Sequence, residues 1–193
     1  MARNRKTAAE RKQEIVTNAL ALFKQDGYRN VTMDHIAQKC GIARTTLYEY
    51  FSNKEGILLT LAEQIADEAR AVQPSGRTAC QRFENLAADY LERIQHHSSL
   101  YRILFQEAPV FSGEVSKRLL EWREKFFHQV LVIAEEGIAS GELRPGIRPM
   151  DAGFLFQAIV GQRAGELLMK DEYVDPGKEA RYLVSLLWHG VGT

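Results

Sequence analysis

The sequence predicts an all-α protein, with an N-terminal helix-turn-helix domain followed by a helical bundle, about nine helices in all. Three observations carry this expectation. Apolar residues recur at helical spacing through every long segment, and no stretch alternates as a half-buried strand would. Glycine and proline fall between the periodic segments and punctuate them. Near the start, Ala37, Gly41 and Leu47 have the spacing of two short helices meeting at a tight corner. Internal repeats are absent.

Taken in order, residues 2–7 are a polar, basic arm. Arg3, Arg5 and Lys6 either reach phosphates or the minor groove, or belong to an end with no role. Residues 8–25 form a first helix, with Ile15, Ala19, Leu22 and Phe23 on its inner face, and Asp26-Gly27 ends it. Thr32 is placed to cap a second helix over 33–40. Gly41 stops that helix where a left-handed residue is usual. Ala37 lets a third helix, 44–50, pack close, and Leu47 anchors it to the core. Asn53 caps a fourth helix running to about residue 71, with Ile57, Leu58, Leu61, Ile65 and Ala69 inward. This helix starts in the head and ends in the body, which makes it a natural lever. Gln73-Pro74-Ser75-Gly76 supplies a loop.

Five further helices follow. The first, 78–97, turns Phe83, Leu86, Ala87, Tyr90, Leu91 and Ile94 inward, and a short one over 99–107 is stopped by Pro109. A long helix over 113–140 has a stripe of Leu119, Phe126, Val130 and Ile133, widened by Trp122, Phe127 and Leu131. The last two helices span 151–170 and 176–189.

Charge separates the chain more clearly than composition does. The whole is neutral, yet residues 1–54 hold 10 Lys/Arg against 5 Asp/Glu, and the remainder holds 15 against 20. A basic end on a neutral whole is the footprint of a nucleic-acid-binding head on an unrelated body. The expected domains are therefore 1–54, which binds DNA, and a separate helical body, 55–193. Cys40 and Cys80 have no metal spacing and read as small apolar residues. No secretory signal and no membrane-length apolar run is present, so a soluble cytoplasmic protein that does not engage membranes is expected.

The third helix carries the chemistry of a reader. Arg44 and Thr45 open it, and the N-terminal residues of such a helix meet base edges. Arginine can bond O6 and N7 of guanine together, while threonine offers a methyl to thymine and a hydroxyl to either base type. Thr46, Tyr48 and Tyr50 have hydroxyls suited to phosphate, with a surface-anchored aromatic as the alternative for each tyrosine. Lys54 places a positive charge at the positive end of the fourth helix, a mildly unfavourable site that a nearby phosphate would explain.

The run GIARTTLYEYFSNKEGIL resembles the DNA-binding signature of the TetR family of bacterial transcriptional regulators, with matches at Thr32, Ile36, Ala37, Gly41, Thr46, Leu47, Tyr48, Phe51 and Lys54. The close likeness spans about residues 15–59. It implies that Tyr48 and Lys54 clamp phosphates and that Thr32 touches the DNA backbone. Two positions depart from the pattern. Ala43 stands where a capping serine is common, and Glu49 puts an acid on the expected DNA face.

The 151–170 helix is apolar on nearly every side, which in a chain this small asks for a second packing surface. Phe154, Ala158, Gly161 and Gly165, with Leu183 and Leu187 of the last helix, are the expected dimer contacts. Pairing of two such helices with their copies is how the TetR family dimerises, and half-site reading independently asks for two-fold symmetry. The resemblance further implies an effector pocket, for which Tyr90, Tyr101, Phe105, Trp122, Phe126 and Gln162 are the candidate lining, with His128 as an alternative polar group. Ordinary core packing is the alternative for each. Such a lining suits a small, largely apolar ligand.

The expected function is that of a sequence-specific regulator, a ligand-responsive repressor bound as a homodimer to a near-palindromic double-stranded operator. Activation stays open, because it depends on operator position. A non-specific architectural DNA-binding protein is one competitor, though it would favour positive charge beyond the head. An enzyme using the helical-domain cavity is the other. No nucleophile motif, phosphate loop or zinc spacing supports it, and adjacent His96 and His97 point about 100° apart on a helix. No catalytic residue, metal or cofactor is expected.

Overall fold

The computed structural model describes residues 6–70, 75–107, 111 and 113–189, with the backbone alone at 65 and 67–70. Arg3, Arg5, the end of the fourth helix, the Gln73-Pro74 turn and the Pro109 stop lie outside the described residues. The elements are α1 (Ala8–Asp26), α2 (Met33–Cys40), α3 (Arg44–Tyr50), α4 (Lys54–Arg70), α5 (Ala79–His96), α6 (Ser98–Glu107), α7 (Gly113–Ala139), α8 (Pro149–Phe156), a π turn (Gln157–Gly161), α9 (Gln162–Lys170) and α10 (Pro176–His189). The π turn joins α8 to α9 without a break, which leaves nine helical rods and no strand among the described residues.

By packing, the chain forms two units. The first comprises Met1–Ala69 and Ile103–Ser116, and the second Arg70–Arg102 and Lys117–Thr193. The helices expected to form the head thus come with α4 and with a segment from much later in the chain.

In the first unit, α1 begins in a reciprocal cap. Thr7 Oγ1 accepts the Glu10 N–H at 3.2 Å, and the Glu10 carboxylate accepts the Thr7 N–H at 2.7 Å. The apolar stripe of α1 is buried as its spacing predicts, with Ile15, Val16 and Ala19 fully out of solvent. Gly41 ends α2 at φ 63° and ψ 35°, the left-handed conformation expected of it. Leu47 is the buried residue of α3. An aromatic chain continues the core, with Phe23 edge-on to Tyr28 at 5.0 Å and Tyr28 edge-on to Phe111 at 5.7 Å.

The second unit is built on α5 lying along α10, with α8, the π turn and α9 closing over them. Phe83, Leu86, Ala87, Leu91 and Ile94 of α5 enter one core with Val130 and Ile133 of α7, Phe156, Val160, Ala164 and Leu167 of the π-interrupted run, and Val184 of α10. Glu142 caps α5 from a distance, its carboxylate accepting the Ala79 N–H at 2.8 Å. α8 starts at Pro149, two residues before the expected Asp151. Proline suits a first helical position, and Asp151 instead accepts the Arg148 N–H at 3.2 Å. The π turn is a second difference from the sequence reading, which takes the run as one regular helix.

Candidate nucleic-acid interface

The head presents α3 to solvent by anchoring its other side. Leu47 is fully buried while Arg44, Thr45, Tyr48 and Glu49 are exposed. Thr46 and Tyr50 are half-buried beside them. Ala43 supplies no side-chain cap, the consequence expected of an alanine at that position.

Arg44 is held ready by its neighbours. Its guanidinium donates to Asp34 of α2 at 2.9 Å and lies 5.5 Å above the Tyr48 ring. It also reaches the Tyr48 hydroxyl at 3.5 Å, and that bond, then the nearby Asp34 charge, pushes the guanidinium pKa up. Both members of the ion pair are more than half exposed, so the pair is weak and the arginine can exchange its partner. Asp34 is the part of this arrangement that sequence reasoning missed. Its position in the first turn of α2 is legible, but its meeting with Arg44 depends on the corner at Gly41.

Thr32 caps α2 in a two-way bond with His35. The Thr32 hydroxyl accepts the His35 N–H at 3.3 Å, and His35 Nδ1 accepts the Thr32 N–H at 3.4 Å. The residue stays exposed, and its hydroxyl keeps a proton to donate.

Sequence reasoning gives Lys54 a phosphate to explain its charge at a helix start, and in this structure its ammonium turns inward. It donates to the carbonyl oxygens of Tyr28, Arg29 and Val31 at 2.7, 3.2 and 3.1 Å, and sits 4.4 Å above the Tyr28 ring. Three N–H donors meet three acceptors. The helix itself is capped by Asn53, whose Oδ1 accepts the Gly56 N–H at 2.8 Å.

Residues 15–61 match the family model described as bacterial regulatory proteins, tetR family. The fatty acid metabolism regulator protein of Bacillus subtilis is 24% identical over 190 residues, covering 92% of this chain and 94% of that one. The transcriptional repressor KstR2 of Mycobacterium tuberculosis is 28% identical over 142 residues, 71% of each chain. Among solved structures, FadR of Bacillus subtilis in complex with stearoyl-CoA superposes with a TM-score of 0.74 at 22% identity, covering 93% of this chain and 99% of that one. Residues 15–61 thus carry the DNA-binding domain of the TetR family of bacterial transcriptional regulators.

The chain is accordingly a DNA-binding transcriptional regulator, and its second unit holds most of the candidate effector and dimer residues. Tyr90 and Phe126 are brought together, their rings stacked with centroids 4.8 Å apart. Phe156 lies 6.3 Å from Phe126 and 5.2 Å from Phe83, and Trp188 meets Phe83 at 6.0 Å, so the aromatic set is wider than the sequence suggests. Burial, with the neighbouring Tyr101 as a lesser cause, pushes the Tyr90 hydroxyl pKa up. Trp122 is half-buried. Gln162 and His128 are exposed, so neither faces the interior. Phe105 is 54% exposed and falls in the first unit. A separate half-open cleft lies where α5 and α9 end, lined by Gln95, Ser98, Leu168, Asp171 and Tyr173 among others, none of them a predicted pocket residue.

Of the predicted dimer contacts, Phe154 is 59% exposed and Ala158 is also open to solvent. Gly161, Gly165 and Leu187 are half-buried. Leu183 is corrected: it is buried inside its own unit, in the same core as α5. Tyr182, one position earlier and 60% exposed, faces outward instead. Leu155 and Met150 extend the exposed apolar surface of α8. No helix among the described residues is long and apolar enough to cross a membrane.

Proposed function

We propose that the protein is a homodimeric, cytoplasmic repressor whose two α3 helices read the half-sites of a near-palindromic operator. Arg44 and Thr45 are assigned to base edges, and Thr32, Thr46, Tyr48, Tyr50 and Lys54 to the phosphate backbone. The observation that carries this is the Arg44–Asp34–Tyr48 arrangement, an arginine at the start of an exposed helix held by a partner that solvent weakens. The exposed apolar residues of α8, Phe154 and Leu155 above all, support pairing of two copies, since burying large side chains gains about 1.5–3 kcal/mol each. The reading assigns the chain no catalytic role.

The effector is a molecule with a long apolar chain, of the class of acyl-CoA thioesters. Support comes from the relatives, one named for fatty acid metabolism and one bound to stearoyl-CoA, and from the aromatic wall of Tyr90 and Phe126. Binding would displace α4, change the separation of the two heads and release DNA.

Selection from a random duplex pool tests the first part, with Arg44→Ala alongside. One near-palindromic site for the wild type, with altered preference in the variant, is the expected result, and recovery of no preferred sequence would contradict it. Titration of the bound operator with stearoyl-CoA, free stearate and CoA tests the second. Release by the thioester alone supports the assignment, and release by none of the three removes it.

A further inference from the structure

Leu47 is fully buried, and it fixes which side of α3 faces the protein. At about 100° per residue, Thr45 and Glu49 each stand about 160° around the axis from Leu47, one on either side of the line opposite it. A turn apart, they form one stripe along the crest of the helix, and both are exposed. Arg44 and Tyr48 lie on one flank, where Arg44 meets Asp34. Thr46 and Tyr50 lie on the other flank, half-buried. With Leu47 as the anchor, a side chain on the crest enters any groove that α3 enters.

Glu49 is not held by the protein itself. It has no hydrogen bond or ion pair with any described residue, whereas the acid Asp34 is paired with Arg44. Fold stability therefore gives no reason for a carboxylate at this position. Among phosphates a carboxylate is repelled, and only a hydrogen-bond donor offsets that cost. The major groove offers two such donors, the N4 amino group of cytosine and the N6 amino group of adenine. Adenine has the acceptor N7 beside its amino group, which repels a carboxylate, while cytosine has no acceptor on this edge. We propose that Glu49 is a specificity-determining residue that accepts a hydrogen bond from the N4 amino group of one cytosine in each half-site. The inference rests on α3 being the DNA-reading element.

The test is duplex selection run in parallel on the full-length wild type, Glu49→Gln and Glu49→Ala. Each recovered site is then titrated with its base pairs substituted in turn. The wild type should recover cytosine at one symmetry-related position in each half-site, and replacing that pair should cost about tenfold in affinity. Glutamine presents an acceptor and a donor together, which suits adenine N6 and N7. Glu49→Gln should therefore recover adenine at that position and prefer it by about the same factor. Glu49→Ala should lose the preference there and keep every other position. It should also bind scrambled duplex more tightly than the wild type, because a repelling charge is gone. All three chains should share one melting temperature, since Glu49 is exposed and unpaired.

Recovery of one identical site by all three chains, with the variants merely tighter on every duplex, would reduce Glu49 to a repelling charge and overturn the proposal. A wild-type base other than cytosine at the position the variants change would overturn it too. So would loss of preference at every position in both variants, which is the mark of a disturbed α3 and not of one lost base contact. A wild type that recovers no preferred site would instead remove the reading of α3 on which the proposal rests.

Discussion

Arg44 shows how much a single side chain inherits from its surroundings. In the free protein its guanidinium is shared between Asp34 and Tyr48, and both contacts face solvent. Guanine offers two acceptors in the plane of the fork, so DNA can take the arginine from Asp34 at small cost. Arg44→Ala should therefore weaken binding by about 1–3 kcal/mol at one base pair of each half-site and leave the others unchanged, as titration against single-site operator variants would measure. Asp34→Asn should act in the opposite direction, raising affinity for operator and scrambled duplex alike, because a negative charge leaves the DNA-facing surface. Equal affinity of Asp34→Asn and wild type would mean that Asp34 does not compete. Arg44 itself is legible from its place at the start of α3, whereas Asp34 lies ten positions earlier and becomes its neighbour only after the chain turns at Gly41.

At the level of elements, periodicity locates the helices because each buries one stripe, and the end signals at Gly27, Thr32, Gly41 and Asn53 do what their chemistry asks. What periodicity does not display are features made by approach between distant elements. The carbonyl cage around Lys54 is one, since it needs α4 to arrive beside a loop more than twenty residues away. Gly137 is another. A Cβ there would come within 2.9 Å of the Ala79 Cβ and 3.3 Å of the Leu143 side chain, so α7 and α5 meet through it. Gly137→Val should overpack this contact by about 1–3 kcal/mol and lower the melting temperature by about 2–4 °C for each kcal/mol. Acid should loosen the start of α1. The Thr7 backbone N–H, then its hydroxyl, hold the Glu10 carboxyl pKa below its ordinary value. A depressed folded pKa means the cap is at full strength above the ordinary value and is lost as pH falls through the lowered one. Amide exchange near residues 8–10 should accelerate in that window, and a Glu10→Gln variant should lack the response.

For the whole molecule, the uneven charge and the bare face of α8 matter together. The excess of basic over acidic residues lies in the first 54 positions, while the second unit leaves Phe154, Leu155 and Met150 open. Phe154→Glu should convert a dimer into monomers by sedimentation at micromolar concentration, and operator binding should fall far more than binding to a single half-site. A variant that remains dimeric would remove this face from the interface. The dimer surface is readable in the sequence as an excess of apolar residues in one helix, but which of them face outward is not. The π turn decides that for α9, because it sets the number of residues between the two arms of the run.

That number has a consequence for length variation. The five-residue π turn, Gln157–Gly161, takes up one extra residue in one turn of the run. A chain one residue shorter there could wind as uninterrupted α-helix and leave the later positions facing as they do now. The same residues rewound as α-helix without that loss would swing every position beyond the turn by about 100° around the axis. Met169 and Lys170 would then look out in a different direction while the sequence of each arm stayed the same. One residue of length, with no change of side chain, can therefore be gained or shed here without turning the outer face of α9.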